Sequence, residues 1–261
     1  MQKDLFKFIT TKLKEFSKET NFSKAVIGLS GGIDSSVVAC LTTKAFGTEN
    51  VLGLIMPSKY SNNESREDAQ ELAKNLKIKS REWSIEETRL LVEKQFEKVF
   101  EKRLEGKSSE NIQPRLRMLF LMAIANQENR LVIGTGNKTE IALGYATLYG
   151  DTAGAICPIG DLNKKQVYEL AKEINKEFGK VIPQRVFDKK PSAELFEGQQ
   201  DPFDYENISE LVDKLYQGAL PEEMFKEGYE EKLVKEFNEK IKNAAFKRNQ
   251  SPPVIKIEKV D

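Results

Sequence analysis

The sequence predicts an α/β fold built on a doubly wound parallel sheet, with a helical C-terminal part. Three observations carry this. The short β-rich runs "KAVIGL", "NVLGLIMP" and "IKSREWSI" are separated by segments of helical periodicity; a fourth run, "NRLVIGTG", follows a long apolar helical pattern; and beyond Asn207 the patterns are helical alone. Strand and helix patterns in alternation imply parallel strands joined by right-handed helical crossovers.

Taken in order, "MQKDLFKFITTKLKEF" interleaves charged and apolar residues at helical spacing, unlike the uncharged centre of a signal peptide. Val37, Val38, Leu41, Ala45 and Phe46 mark the first crossover helix, and Ala69, Leu72, Ala73 and Leu76 the second. The stretch Asn111 to Asn129 has Pro114 near its start and a centre, Met118 to Ala125, that is apolar on every face. Such a helix is expected to be buried in the core or against a second subunit. After Gly150, "DTAGAICPIGDLNKKQ" leads into another helix, and Arg185 to Tyr205 reads as a long loop, a candidate lid. Helical patterns return from Asn207 to about Lys247, and "RNQSPPVIKIEKV" is a Pro-broken extended tail. One domain over residues 1–261 is the economical expectation.

Composition removes whole classes of chemistry. The 261 residues contain no histidine and two cysteines, which excludes histidine general bases, Ser-His-Asp and Cys-His catalysis, and nearly all zinc sites. Carboxylates, lysines, arginines, hydroxyls, backbone amides and a hard metal held by oxygen remain. Forty-one basic residues balance forty-one acidic ones, so no bulk field attracts nucleic acid or an anionic membrane. No apolar run approaches the ~20 residues that span a bilayer. Cys40 and Cys157 lie in apolar stretches, and the chain reads as a cytoplasmic protein.

The chemistry is concentrated in "AVIGLSGGIDSS", Ala25 to Ser36. A strand ending in Ser30-Gly31-Gly32 and followed at once by a helix presents bare amides at the positive end of the helix dipole, an anion site suited to phosphate. No lysine follows the glycines, so this is not a Walker A loop. Asp34 would repel phosphate unless a cation lay between them, and magnesium resolves the conflict. The plainer reading is that Ser30 or Asp34 is a helix N-cap and the glycines only a tight turn.

"SGGIDSS" after a strand resembles the signature of the N-type ATP pyrophosphatases, the PP-loop family, which split ATP to AMP and pyrophosphate. The resemblance implies an adenine nucleotide alpha hydrolase-like, Rossmann-like fold. "PRLRM" (Pro114 to Met118), "GTGNKTE" (Gly134 to Glu140), "LYGD" (Leu148 to Asp151), "LNKKQ" around Lys164, "KKPSAEL" around Ser192 and "FKRNQSPP" fall in the order and spacing of the ammonia-dependent NAD synthetases. That resemblance implies amidation of deamido-NAD (nicotinic acid adenine dinucleotide) by ammonia, with ATP as co-substrate, in the last step of NAD biosynthesis. Carried over by position, it implies that Leu29, Ser30, Gly31, Gly32, Ile33, Asp34, Ser35 and Ser36 hold ATP with Thr135, Lys164 and Ser192. Asp34 and Glu140 would bind Mg2+. Arg115, Phe246 and Lys247 would bind deamido-NAD, Lys164 and Asp151 would be catalytic, and Asp151 would deprotonate ammonium. A homodimer with the substrate site at its interface is also implied.

The residues allow simpler roles for some of these. Glu140 could be an ordinary exposed helix residue, Lys164 a solvated surface lysine, and "FKR" a basic helix end. Arg115 and Arg117, two apart on a helix, point in different directions, so one of them serves a given ligand. Other synthetases of this type carry lysine at the position of Leu148 and aspartate at that of Ala155, so the grip on the nicotinate half differs, which raises the weight of Tyr145, Tyr149 and Arg115. The segment before Ala25 is too short to hold a glutaminase domain, so ammonia is expected from outside. Rival readings are a PP-loop enzyme that activates a tRNA base, disfavoured by the neutral charge, and a non-catalytic ATP sensor, disfavoured by Asp34 and Glu140.

Overall fold

A computed structural model describes residues 4–257; the start of the N-terminal helical pattern, 1–3, and the end of the tail, 258–261, lie outside the described residues. The chain runs α1 (Leu5–Glu19), β1 (Ala25–Gly28), α2 (Ile33–Phe46), β2 (Val51–Ile55), α3 (Asn63–Asn75), β3 (Lys79–Glu82), α4 (Glu86–Phe100), α5 (Lys107–Glu128) and β4 (Leu131–Val132). It continues through α6 (Lys138–Leu143), α7 (Lys164–Phe178), α8 (Gln184–Asp188), α9 (Tyr205–Tyr216), α10 (Pro221–Lys226), α11 (Glu231–Asn243) and α12 (Ala245–Arg248).

The strands are parallel in the order β3-β2-β1-β4. Alternation sorts their side chains: Ala25, Ile27, Val51, Ile55 and Leu131 face one core with α1, α2, α3 and α7. Val26, Leu52, Leu54 and Val132 face a second core with Leu116, Phe120, Leu121 and Ala125 of α5. A parallel sheet covered on both faces needs such runs of apolar residues, which is why the strands were legible. β3, at the sheet edge, is short and charged, and such an edge resists pairing with another chain. A third core joins α6 to α9, α10 and α11 through residues such as Leu143, Leu211, Met224 and Phe237. Beyond β4 the sheet is continued by single bridges, Ile133 to Ile156 and Cys157 to Val254.

Two expectations are corrected and one is met in part. Helix α5 begins at Lys107, so Pro114 lies within it rather than near its start; "KSSE" extends the helix N-terminally, and the cost is one missing amide donor toward Glu110. The same helix meets the core on one face, through Leu116, Phe120, Leu121 and Ala125, and leaves Leu119 58% and Met122 41% exposed within the single chain. The loop after α7 is shorter than read, because Arg185 to Asp188 are helical.

The sheet order decides where a ligand can sit. From β1 the chain steps outward to β2 and β3, then returns to the other side of β1 for β4. The loops leaving β1 and β4 therefore diverge and leave a crevice at the carboxyl edge, the topological switch point of an open α/β sheet.

Candidate active site

The loop after β1 forms one wall of the crevice. Gly31 adopts φ +73°, and a Cβ there would lie 2.0 Å from the Ser65 carbonyl oxygen of α3, so both conformation and space require glycine. Gly32 is the N-cap of α2 and supplies no side chain to its first-turn amides. The serines shape the loop: Ser30 Oγ accepts from Gly32 N (3.1 Å) and lies 2.9 Å from Ser35 Oγ, while Ser35 and Ser36 hydroxyls donate to Gly32 O at 3.1 and 2.8 Å. A fixed loop with uncapped amides at a helix N-terminus suits phosphate oxygens.

Asp34 does not cap α2. Its Oδ1 accepts from Asn137 Nδ2 at 2.8 Å, and its Oδ2 receives the Lys164 ammonium. Asn137, at the start of α6, also forms a capping box with Glu140: Glu140 N donates to Asn137 Oδ1 (3.0 Å), and Asn137 N donates to Glu140 Oε2 (3.2 Å). That box aims Glu140 Oε1 at Lys164 Nζ, 3.4 Å away. Lys164 opens α7 behind its own capping box, Asn163 with Gln166, and is only 3% exposed. It is therefore not a solvated surface lysine.

With both carboxylates ionised, two negative charges against one ammonium leave the cluster one positive charge short of neutral. Burial and the neighbouring Asp34 push the Glu140 carboxyl up to about 8, although Lys164 opposes the shift. Burial works against the charge of Lys164, but Asp34 and Glu140 hold its pKa above the usual lysine value.

A cavity of ≈ 310 Å³ fills the crevice. Leu29, Ser30, Gly32, Ile33, Asp34, Ser35, Thr135, Glu140, Tyr145, Asp151, Lys164 and Ser192 all line it. Gly31 and Ser36 act from within the loop. Asp151 is held by the Thr147 amide (2.7 Å), and burial raises its pKa. Ser192 Oγ donates to Gln199 O (2.7 Å) and Tyr145 donates to Asp201 Oδ1 (3.2 Å), so both hydroxyls engage the segment after α8.

Three expected residues stand apart from this cavity. Arg115 is exposed and donates to Leu148 O (3.1 Å), and Phe246 is exposed. Lys247 donates to Gly144 O and Ala146 O at 2.8 and 2.7 Å, and lines a separate cavity of ≈ 50 Å³ that shares Thr135, Glu140 and Asp151 with the larger one. The thiols are unsuited to nucleophilic work: burial pushes Cys40 up to about 12 and Cys157 to about 11.

Sequence reasoning missed Asn137, Glu194 and Arg117. Asn137 carried a readable signal, the N-x-x-E capping box inside "GTGNKTE". Glu194 carried none. It reaches from the segment after α8 to the start of α3, accepting from Asn62 N and Asn62 Nδ2 (3.0 Å each) and from Ser65 Oγ (2.5 Å). Since α3 has no cap from its own N-cap side chain, Glu194 supplies one from far along the chain. Leu195 O accepts from Gln113 Nε2 of α5 (2.8 Å), so this segment is fastened on both sides of the cavity. Glu194→Ala is expected to raise tryptic cleavage after Lys189 by about tenfold, because charge-assisted hydrogen bonds hold the segment down and cleavage follows the open population. Unchanged digestion would show that the contacts do not restrain it.

An amide-rich loop between β1 and a helix, faced across the switch point by two carboxylates and a buried lysine, defines a nucleotide-phosphate-binding α/β protein of the PP-loop type. A family model described as NAD synthase matches residues 3–251, and the chain belongs to that family. It is 42% identical to the glutamine-dependent NAD(+) synthetase of Thermotoga maritima over 98% of this chain and 45% of that protein. It is 38% identical to the NH(3)-dependent NAD(+) synthetase of Fusobacterium nucleatum over 95% of this chain and 93% of that one. The chain thus spans about half the length of the glutamine-dependent relatives it matches.

Among solved structures, NMN synthetase from Francisella tularensis has a TM-score of 0.79 at 30% identity, with 99% of this chain and 98% of that one covered. NH3-dependent NAD synthetase from Campylobacter jejuni gives 0.77 at 30% identity, with 97% and 98% covered.

Proposed function

We propose that this protein uses ATP to amidate the nicotinate carboxylate of deamido-NAD with ammonia, giving NAD, AMP and pyrophosphate. The observation that carries this reading is the Asp34–Lys164–Glu140 cluster facing the Ser30 to Ser36 loop, in a chain of this family. Asp34 Oδ2 and Glu140 Oε1 converge on one ammonium, and ionising both leaves the cluster one positive charge short, which suits a hard divalent cation held with phosphate oxygens. Asp34 and Glu140 would hold Mg2+, which when bound supplies charge stabilisation at the phosphoryl oxygens.

The nicotinate carboxylate oxygen attacks the α-phosphorus and the bond to the bridging oxygen breaks, so pyrophosphate leaves into the loop amides. Lys164 neutralises charge that develops on the leaving group. Ammonia then attacks the acyl carbon of the acyl-adenylate and AMP departs. Asp151, whose raised pKa makes it a better base than an ordinary carboxylate, takes the proton that ammonium must lose. The segment from Lys189 to Asp204 covers the cavity and excludes water that would hydrolyse the acyl-adenylate.

The test is to incubate the protein with ATP, Mg2+, deamido-NAD and either ammonium or glutamine, following NAD and AMP together. AMP and NAD in equal amounts are expected with ammonium; AMP without NAD would sink the reading. Leu148 and Ala155, together with the Francisella neighbour described as an NMN synthetase, make nicotinic acid mononucleotide the competing acceptor to assay in parallel.

We further propose a homodimer. Leu90, Leu91, Val99 and Phe100 of α4 and Leu119 and Met122 of α5 are exposed, from 41% at Met122 to 67% at Val99, an apolar surface that a second copy would cover. Leu119→Asp is expected to shift the protein to a monomer in sedimentation; an unchanged dimer would place the interface elsewhere. Both thiols are free and no described helix is long and apolar enough to cross a membrane, consistent with a cytoplasmic site of action.

A further inference from the structure

The sequence singled out Arg115 for the substrate and left Arg117 without a part; the structure reverses their surroundings. Arg115 lies on the exposed side of α5, whereas Arg117 lines the 310 Å³ cavity. Its Nε donates to Met56 O (3.0 Å), just beyond the C-terminal end of β2, and among the described residues it makes no ion pair within 4.0 Å. Arg89, by contrast, is held by Glu86 and Glu93, and Arg185 by Asp68 and Glu67. Burial lowers the pKa of Arg117 to about 10, with Glu194 and Asp151 offsetting this from a distance. Arg117 is only partly buried, and a guanidinium without a counter-ion whose terminal nitrogens make no protein hydrogen bond among the described residues is completed by an anion that enters the cavity it lines.

Its place in the fold narrows which anion. The loop Ser30 to Ser36, Asp34 and Lys164 approach the cavity from α2 and α7, which pack on one face of the sheet. Helix α5 packs on the opposite face through Leu116, Phe120 and Leu121. The loop amides provide for the pyrophosphate end of the nucleotide, so a cation on the other wall meets charge the loop does not hold. A guanidinium anchored at Nε keeps its two terminal nitrogens as a fork, the geometry that matches two oxygens of one phosphoryl group.

We propose that Arg117 is a nucleotide-binding residue that grips the α-phosphoryl oxygens of ATP from the α5 wall. The inference deepens the proposed function and rests on its nucleotide site, but its test needs no acceptor. Wild type, Arg117→Met and Arg117→Lys are titrated calorimetrically with ATP, AMP and inorganic pyrophosphate in the presence of Mg2+, and their melting temperatures are compared. Arg117→Met is expected to weaken ATP and AMP by about ten- to a hundredfold, the range for charge-assisted hydrogen bonds, while pyrophosphate, which has no α-phosphoryl group, binds as before. Arg117→Lys, which keeps the charge but loses the fork, is expected to fall between.

Unchanged ATP and AMP affinity in Arg117→Met would overturn the assignment. So would an equal loss for all three ligands, because that would show only that the Met56 contact shapes the cavity. If Arg117→Met does not fold, Arg117→Lys and Arg117→Gln carry the same comparison. Should the wild-type protein amidate neither acceptor, the proposed reaction fails while these titrations still decide the role of Arg117.

Discussion

Asp34→Asn is expected to lower the rate of NAD formation by about a thousandfold and to leave the melting temperature within a few degrees of wild type. One ion contact at ~4 Å with an effective dielectric of ~20 is worth ~4 kcal/mol, which corresponds to roughly that factor. The structure shows why asparagine is a cleaner substitution than alanine. Asp34 accepts from Asn137 Nδ2 and pairs with a buried lysine, so Asp34→Ala would also leave a buried amide without its acceptor. Asparagine keeps an oxygen for Asn137, while its NH2 replaces the oxygen that faced the Lys164 ammonium, so the charge and that one contact are lost together. Lys164 retains Glu140 as its counter-ion, and the Glu140 carboxyl, relieved of repulsion from Asp34, moves back down toward the usual carboxylate range. Coupled measurement of NAD and AMP beside a thermal melt checks this. A variant within tenfold of wild-type activity would remove Asp34 from the proposed metal site.

Gly31→Ala is expected to abolish ATP binding and to lower stability by about 3 kcal/mol, from the left-handed backbone and the forced overlap. For a chain of this size that is roughly 6–12 °C in Tm. The overlap cannot be relieved by a side-chain rotation, because the atom in the way is the Ser65 carbonyl oxygen in α3. Ser65 is further held by Glu194 and Lys189, at 2.5 and 3.0 Å from its hydroxyl. Gly32→Ala is the control: its Cβ would meet only Ser30 Oγ, at 3.2 Å, and its φ of −92° suits any residue. It should lose nucleotide affinity with little loss of Tm. Equal melting losses in the two variants would contradict the packing of Gly31 on α3.

Local signals explain what could be read in advance. The strands were legible because a sheet buried on both faces demands unbroken apolar runs such as "AVIG" and "VLGLI". The loop was legible because its glycines, serines and acid are adjacent in sequence. The course of α5 was read less well: its apolar centre looked the same whether it faced the core or solvent, and only packing against Val26 and Leu54 separates buried Leu121 from exposed Leu119. Arg115 and Arg117 share one motif, and helical geometry could say that they diverge but not which one turns toward the cavity.

By itself the sequence determined the class of sheet, the glycine- and serine-rich loop between β1 and α2, and the absence of histidine chemistry, because each depends on residues close together or on composition. Only the tertiary structure decided that Asp34 pairs with Lys164 instead of capping α2, that Glu194 caps α3 from across the chain, and that Arg117 rather than Arg115 enters the cavity. Those facts depend on the reversal of strand order between β1 and β4 and on which face of the sheet each helix covers. Residues more than a hundred positions apart meet there, and no local pattern records the meeting.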